Sequence, residues 1–144
     1  MMETPITLGD CVAYVESRNN PLAMRYEPNF STSQNARDII SRLAVNGFMD
    51  ENTADIIAAT SWGQYQIMGE NLWTVCGYKG TLAAYITDPG KQYETFQNFI
   101  EHIGYKDNPF NPTAKVYNAR FAIAYNGSEQ YAQALVNAYY ALGG

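Results

Sequence analysis

The 144-residue chain has room for one domain with a sizeable core and is short for two. At 47% apolar and 16% charged, against a usual charged share of about a quarter, it has a globular composition and not that of a disordered chain. A net charge of −5, with nine Lys and Arg that nowhere cluster, excludes a nucleic-acid footprint and argues against anchoring on an anionic membrane surface. One histidine, His102, and two cysteines, Cys11 and Cys76, are too few for a zinc site of the usual type, so no metal and no cofactor is expected. The cysteines form either one disulfide or two buried free thiols. No apolar run approaches the ~20 residues that span a bilayer. The start, Met1 to Thr7, lacks a basic region followed by an apolar core, so no cleavable signal peptide is visible.

Thr7 is placed to cap a first helix in which Leu8, Cys11, Val12 and Val15 recur at spacings of three and four, ending at Asn19-Asn20-Pro21. Ala23 to Pro28 is short, alternating and bounded by prolines, which predicts an extended segment. Caps between Ser31 and Gln34 open a second helix running to about Val45, closed by Asn46-Gly47. A brief helix through Ile56 and Ile57 follows. Gly63 and Gly69 frame a short apolar-polar segment that continues as a helix through Leu72, Trp73 and Val75 to Gly77. Asp88-Pro89 is a strong helix start, with an N-cap followed by Pro at the first helical position. That helix carries Tyr93, Phe96, Phe99, Ile100 and Ile103 and stops at Gly104. After the Asn108–Pro112 loop come two more helices, about 113–125 and 128–142, separated by Asn126-Gly127. These elements predict one domain over 1–144, mainly α, with a small extended excursion after the first helix.

Glu16 is the most informative residue of the chain. A Glu near a helix C-terminus is ordinarily a solvated surface charge. At this address, where an apolar helix stops abruptly, the same carboxyl can be partly dried by the core, stay protonated near neutral pH and serve as a general acid. Glycoside cleavage most often asks for such a group. Three other segments add to it. Gly63-Gln64-Tyr65-Gln66 sets amides on a glycine-framed turn, suited to the acetamido and hydroxyl groups of amino sugars. Tyr125-Asn126 places a phenol and an amide at a helix break. Arg25 to Phe30 supplies a second acid, Glu27, beside Tyr26 and Phe30. Each has an ordinary alternative: Tyr125 as core, Gln66 as a turn bond, Glu27 as a surface ion-pair partner. The twelve tyrosines also suit sugar stacking, although packing is their commoner use.

Taken in order, these segments resemble the lysozyme-like superfamily, and most closely the N-acetylmuramidases of phage and prophage endolysins, with lytic transglycosylases and goose-type lysozymes as cousins. Val15-Glu16-Ser17 resembles the acid-bearing Glu-Ser of that family. Ala59 to Gly69 is similar to its Ala-Ser-Trp-Gly-x-x-Gln-Ile-Met-Gly, and Ala124-Tyr125-Asn126-Gly127 to its Tyr-Asn-Gly. Arg25 to Phe30 is similar to its Phe-Glu-Arg-His-x-Phe, with Pro28 and Asn29 standing where the family has Arg and His. The likeness covers residues 8 to 142.

The resemblance implies a lysozyme-like α+β fold and a muramidase cleaving the β-1,4 bond between N-acetylmuramic acid and N-acetylglucosamine in peptidoglycan. It implies Glu16 as proton donor, Glu27 as second carboxylate, and Tyr125 bonded near Glu16 or the sugar. Ser61, Gln66 and Asn126 would line the groove, and Tyr65, Tyr26 and Trp62 would stack on sugar rings, Trp62 half in the core. A monomer is expected, reaching the wall through a holin or inside a virion. The alternatives are transglycosylation to 1,6-anhydro ends, chitin cleavage, a glycan-binding module without activity, or a structural virion component.

Overall fold

The structure, a computed structural model, describes residues 4–144. Among them are eight helices and one three-stranded antiparallel sheet, the mainly α architecture that the patterning predicts. Helix α1 (Leu8–Ser17) begins with a reciprocal cap: the Thr7 hydroxyl oxygen accepts from the Asp10 N–H, and the Asp10 carboxylate accepts from the Thr7 N–H. The helix buries Leu8, Cys11 and Val12. It ends at Arg18 and Asn19, two consecutive non-glycine residues in the left-handed region, with φ of 54° and 62°. The Arg18 guanidinium anchors this turn, 4.2 Å from the centre of the Tyr14 ring and donating to the Tyr14 carbonyl at 2.8 Å.

The extended segment is strand β1 (Met24–Tyr26), and helices α2 (Gln34–Leu43) and α3 (Glu51–Ala58) follow. The next stretch departs from expectation. Residues 60–68 form a hairpin of β2 (Thr60–Trp62) and β3 (Ile67–Met68), and the helix after it, α4 (Gly69–Leu72), is one turn long. Positive φ at Gly63 (80°) and Gln66 (51°) allows the tight reversal. The partner that makes β2 a strand is β1, more than thirty residues away, which no local pattern reveals. A short helix α5 (Leu82–Ile86), capped by Thr81, was not anticipated either. Helix α6 (Pro89–His102) starts from the Asp88 cap as read. The last pair, α7 (Lys115–Asn126) and α8 (Tyr131–Ala141), is separated by Gly127 at φ 85°. Helix α8 packs on α1 and α7.

One apolar cluster joins the elements, with Val12, Ile40, Leu72, Tyr85, Phe96, Phe121 and Leu135 at its centre. Tyr65, Tyr78, Tyr85 and Tyr131 are buried, so packing accounts for a good part of the tyrosine content. Cys11 and Cys76 are both buried free thiols, pushed up to about 12 chiefly by burial and therefore unreactive.

A buried amide fixes three of these segments to one another. Gln92, on α6 and 0% exposed, accepts the Gln64 N–H through Oε1 at 2.8 Å. Its Nε2 donates to the Pro21 carbonyl at 2.9 Å and the Tyr85 carbonyl at 3.1 Å. The β2–β3 turn comes so close that a Cβ at Gly63 would lie 2.5 Å from Gln92 Oε1. Replacing Gln92 by Leu would leave the part-buried Gln64 N–H and Pro21 carbonyl without a partner, each costing on the order of 1–3 kcal/mol, and would strip the buried Tyr85 carbonyl of one of its two bonds, the Asp88 N–H remaining. We expect Gln92→Leu to lose about 3 kcal/mol or more in urea unfolding, with the slope of the transition unchanged; a loss under ~1 kcal/mol would show that the amide is not what fixes the turn.

Candidate active site

The cleft is built on strand parity. Arg25 pairs with Ser61 across β1 and β2, and Ser61 with Met68 across β2 and β3, so these three side chains form one row across one face of the sheet. Glu27, two residues beyond Arg25, shares its side. All four line one cleft of about 340 Å³ together with Glu16, Gln66, Tyr125 and Asn126. Trp62 and Ile67 pair on the opposite face and are buried.

Glu16 reaches the cleft from the last turn of α1. Its neighbour Ser17 holds that end against the hairpin, donating to the Gln64 carbonyl at 2.8 Å while its oxygen accepts the Asn20 N–H at 3.0 Å. The Glu16 carboxyl is part-buried, and Tyr131 donates to its Oε2 at 2.8 Å. Burial raises its pKa above the ordinary glutamate value; the Tyr131 hydrogen bond and then the Arg25 charge pull the other way without cancelling the rise. The group is therefore biased toward the protonated form that a proton donor needs.

Tyr131 is the neighbour of Glu16 that the sequence does not disclose. Tyr125 was the phenol expected beside the acid. It does line the cleft, but its hydroxyl donates to the Tyr65 carbonyl at 2.7 Å. Tyr125 stacks between Phe121 and Tyr131, at 5.3 and 6.1 Å between ring centres, and so backs the ring that holds Glu16. Both phenols are raised above the ordinary range by burial first, which keeps them neutral donors.

Of the residues expected to bind sugar, Ser61, Gln66 and Asn126 lie at the cleft. The Ser61 hydroxyl donates to Gln66 Oε1 at 2.8 Å, and Gln66 Nε2 donates to the Gly63 carbonyl at 2.9 Å, leaving a second amide hydrogen for a ligand. The expected stacking residues stand elsewhere. Tyr65 is 6% exposed, its ring stacked on Phe96 at 4.3 Å, because the hairpin turns it into the core. Trp62 is buried and donates from Nε1 to the Ile57 carbonyl. Tyr26 is 51% exposed but alternates with Arg25 along β1, which sets it on the face away from the cleft. Arg25 and Met68 were overlooked; once residues 60–68 are seen as strands, parity alone assigns both. Among the described residues no group of three His, Cys, Asp or Glu could hold a metal ion, and no helix is long and apolar enough to cross a membrane.

A helical domain carrying a half-buried acid above a polar groove is the arrangement of lysozyme-like glycosidases. Comparison with known proteins makes the assignment specific. The N-acetylmuramidase family model matches residues 12–142, and the chain belongs to that family. It is thus a peptidoglycan-hydrolysing glycosidase. It is 30% identical over 139 residues to the endolysin of Enterobacteria phage PRD1, covering 92% of this chain and 93% of that one. No solved structure matches the chain.

Two outcomes follow from the geometry. A raised Glu16 pKa means that the folded chain holds this proton more tightly than the unfolded chain does. The associated stability is full below the unfolded value, near 4.5, and is lost as pH rises through the folded one. Glu16→Gln removes that loss, so it should melt above wild type at neutral pH, with the gap closing below about pH 4. A variant that melts lower at neutral pH would contradict the burial argument. Tyr131→Phe deletes a hydrogen bond that favours the ionised form, so the alkaline limb of the activity profile should move to higher pH; a shift to lower pH would contradict the assignment.

Proposed function

We propose that this cleft cleaves the β-1,4 bond between N-acetylmuramic acid and N-acetylglucosamine, with Glu16 as general acid. The observation that carries the reading is the part-buried Glu16 carboxyl, biased toward protonation, at the wall of a groove lined by amide and hydroxyl groups. Oε2 accepts from Tyr131, which leaves the acid proton on Oε1, and Oε1 has no hydrogen-bond partner among the described residues. That proton goes to the glycosidic oxygen as the bond to the sugar C1 breaks. Positive charge then develops on the ring, and Glu27, on the same cleft, is the second carboxylate available to steady it or to take a proton from the attacking water. Tyr125 acts as a positioning residue through Tyr131. The amides of Gln66 and Asn126 and the Ser61 hydroxyl orient the sugar. The name of the phage relative supports a part in host lysis for this chain; action as a monomer that reaches the wall by holin release or virion delivery belongs to the same proposal.

Clearing of purified murein sacculi tests the acid. Glu16→Gln should reduce the rate by about 10²-fold or more, and equal clearing by both proteins would overturn the reading. Mass spectrometry of the wild-type digest tests the water step. Ends carrying free reducing muramic acid are expected, whereas ends lighter by one water would mark intramolecular attack and remove Glu27 from the reaction.

A further inference from the structure

The cleft contains one cation, Arg25, among the residues that line it. The chain as a whole carries a net charge of −5, and murein is itself acidic, so long-range attraction cannot bring the two together. Whatever favourable charge contact the substrate makes must be local. Arg25 is also the residue that strand parity aims into the groove, in register with Ser61 and Met68 and on the side of Glu27.

The state of the guanidinium suits a ligand better than a structural brace. Its side chain is 74% exposed, and its one acid partner among the described residues is Glu27, with Nε 3.0 Å from Oε1. That ion pair meets one edge of a five-donor fork, and no hydrogen bond from the fork is present among the described residues. An exposed pair of this kind contributes little to folding, so it does not account for an arginine here. The fork matches one chemical group well, a carboxylate taken by two parallel N–H bonds.

We infer that Arg25 is a specificity-determining residue which binds a carboxylate carried by the N-acetylmuramic acid unit. This rests on the muramidase reading and deepens it. A muramic acid unit presents such a group in one of two ways. When the peptide stem is absent, the lactyl ether ends in a free carboxylate; when it is present, that carboxyl is tied in an amide and the stem supplies carboxylates instead. The amino-sugar repeat of chitin offers neither. Arg25 therefore distinguishes two polymers with the same β-1,4 backbone, a distinction that the Gln66 and Asn126 amides cannot make. The guanidinium touches no bond that breaks, so its contact with the substrate carboxylate belongs in KM; its pairing with Glu27 also bears on kcat, an effect common to capped and free strands of the same protein.

The test measures KM and kcat for wild type, Arg25→Gln and Arg25→Lys on murein strands whose carboxylates are left free or capped as neutral methylamides. Each protein is assayed on the plateau of its own pH profile, because removing Arg25 also alters the field at Glu16. Capping should raise the wild-type KM about tenfold, the weight of one charge-assisted contact, and the Arg25→Gln KM less than twofold, with kcat little changed. Arg25→Lys, keeping the charge without the fork, should fall between them. Running the series on peptide-bearing strands and on strands stripped by an amidase identifies the carboxylate: a penalty confined to stripped strands names the lactyl group, and one confined to peptide-bearing strands names the stem. Equal capping penalties in wild type and Arg25→Gln overturn the carboxylate role alone. A wild type that releases no muramic-acid ends from uncapped strands overturns the muramidase reading, and this inference with it. Thermal melting of Arg25→Gln should match wild type within a degree or two, as the exposure of the side chain requires.

Discussion

Two pieces of chain that make the cleft, the hairpin turn and the loop leading into β1, are tied to each other and to α5 by one amide that none of them contains. Gln92 sits on α6, behind the groove, and its oxygen and nitrogen reach the hairpin turn, the loop after α1 and the end of α5. An amide does this better than any charged group would. It offers a donor pair and an acceptor at fixed separation, and it enters a dry interior without the desolvation cost of a full charge. With its three backbone partners engaged, the turn carrying Gln64 and Gln66 cannot drift relative to the start of β1. Gly63 is the matching half of the device, since no side chain fits between that turn and the amide.

On this frame the site is assembled from both chain ends. Glu16 comes from the first helix and Tyr131 from the last, 115 residues later, and they meet because α8 packs on α1. The sheet contributes the opposite wall, and its pairing register decides which residues belong to it. Burial and hydrogen bonding act on the acid in opposite senses. The apolar surround resists its ionisation, while Tyr131 holds one oxygen and leaves the other for chemistry. The stacked rings of Phe121, Tyr125 and Tyr131 make that hold rigid.

Much of this was legible in the chain, and the parts that were not share a cause. Caps and breaks are local, so Thr7, Asp88-Pro89 and Gly127 marked helix ends correctly, and the acid at the end of α1 stood out by its address. The groove residues Gln66 and Asn126 are marked by amide chemistry at glycine breaks, and Ser61 by the family resemblance. Strand pairing is not local. With no sign that residues 24–26 meet residues 60–62, Tyr26 reads as a platform for sugar, Trp62 as one half in the core, and Arg25 has no role of its own. Tyr65 lost its expected role to Phe96, thirty-one residues on. Tyr131 and Gln92 lie on helices whose apolar pattern is complete without them, and only the assembled fold gives their polar ends something to bond.

The state of the two cysteines reaches beyond packing. Cys11 and Cys76 are shut in the interior as separate thiols, and no covalent cross-link contributes to holding the cleft together. Such a chain completes its architecture from burial and hydrogen bonds alone, and it has the same shape whether its surroundings reduce disulfides or form them. A peptidoglycan-hydrolysing enzyme built this way needs no oxidising compartment to reach its active shape.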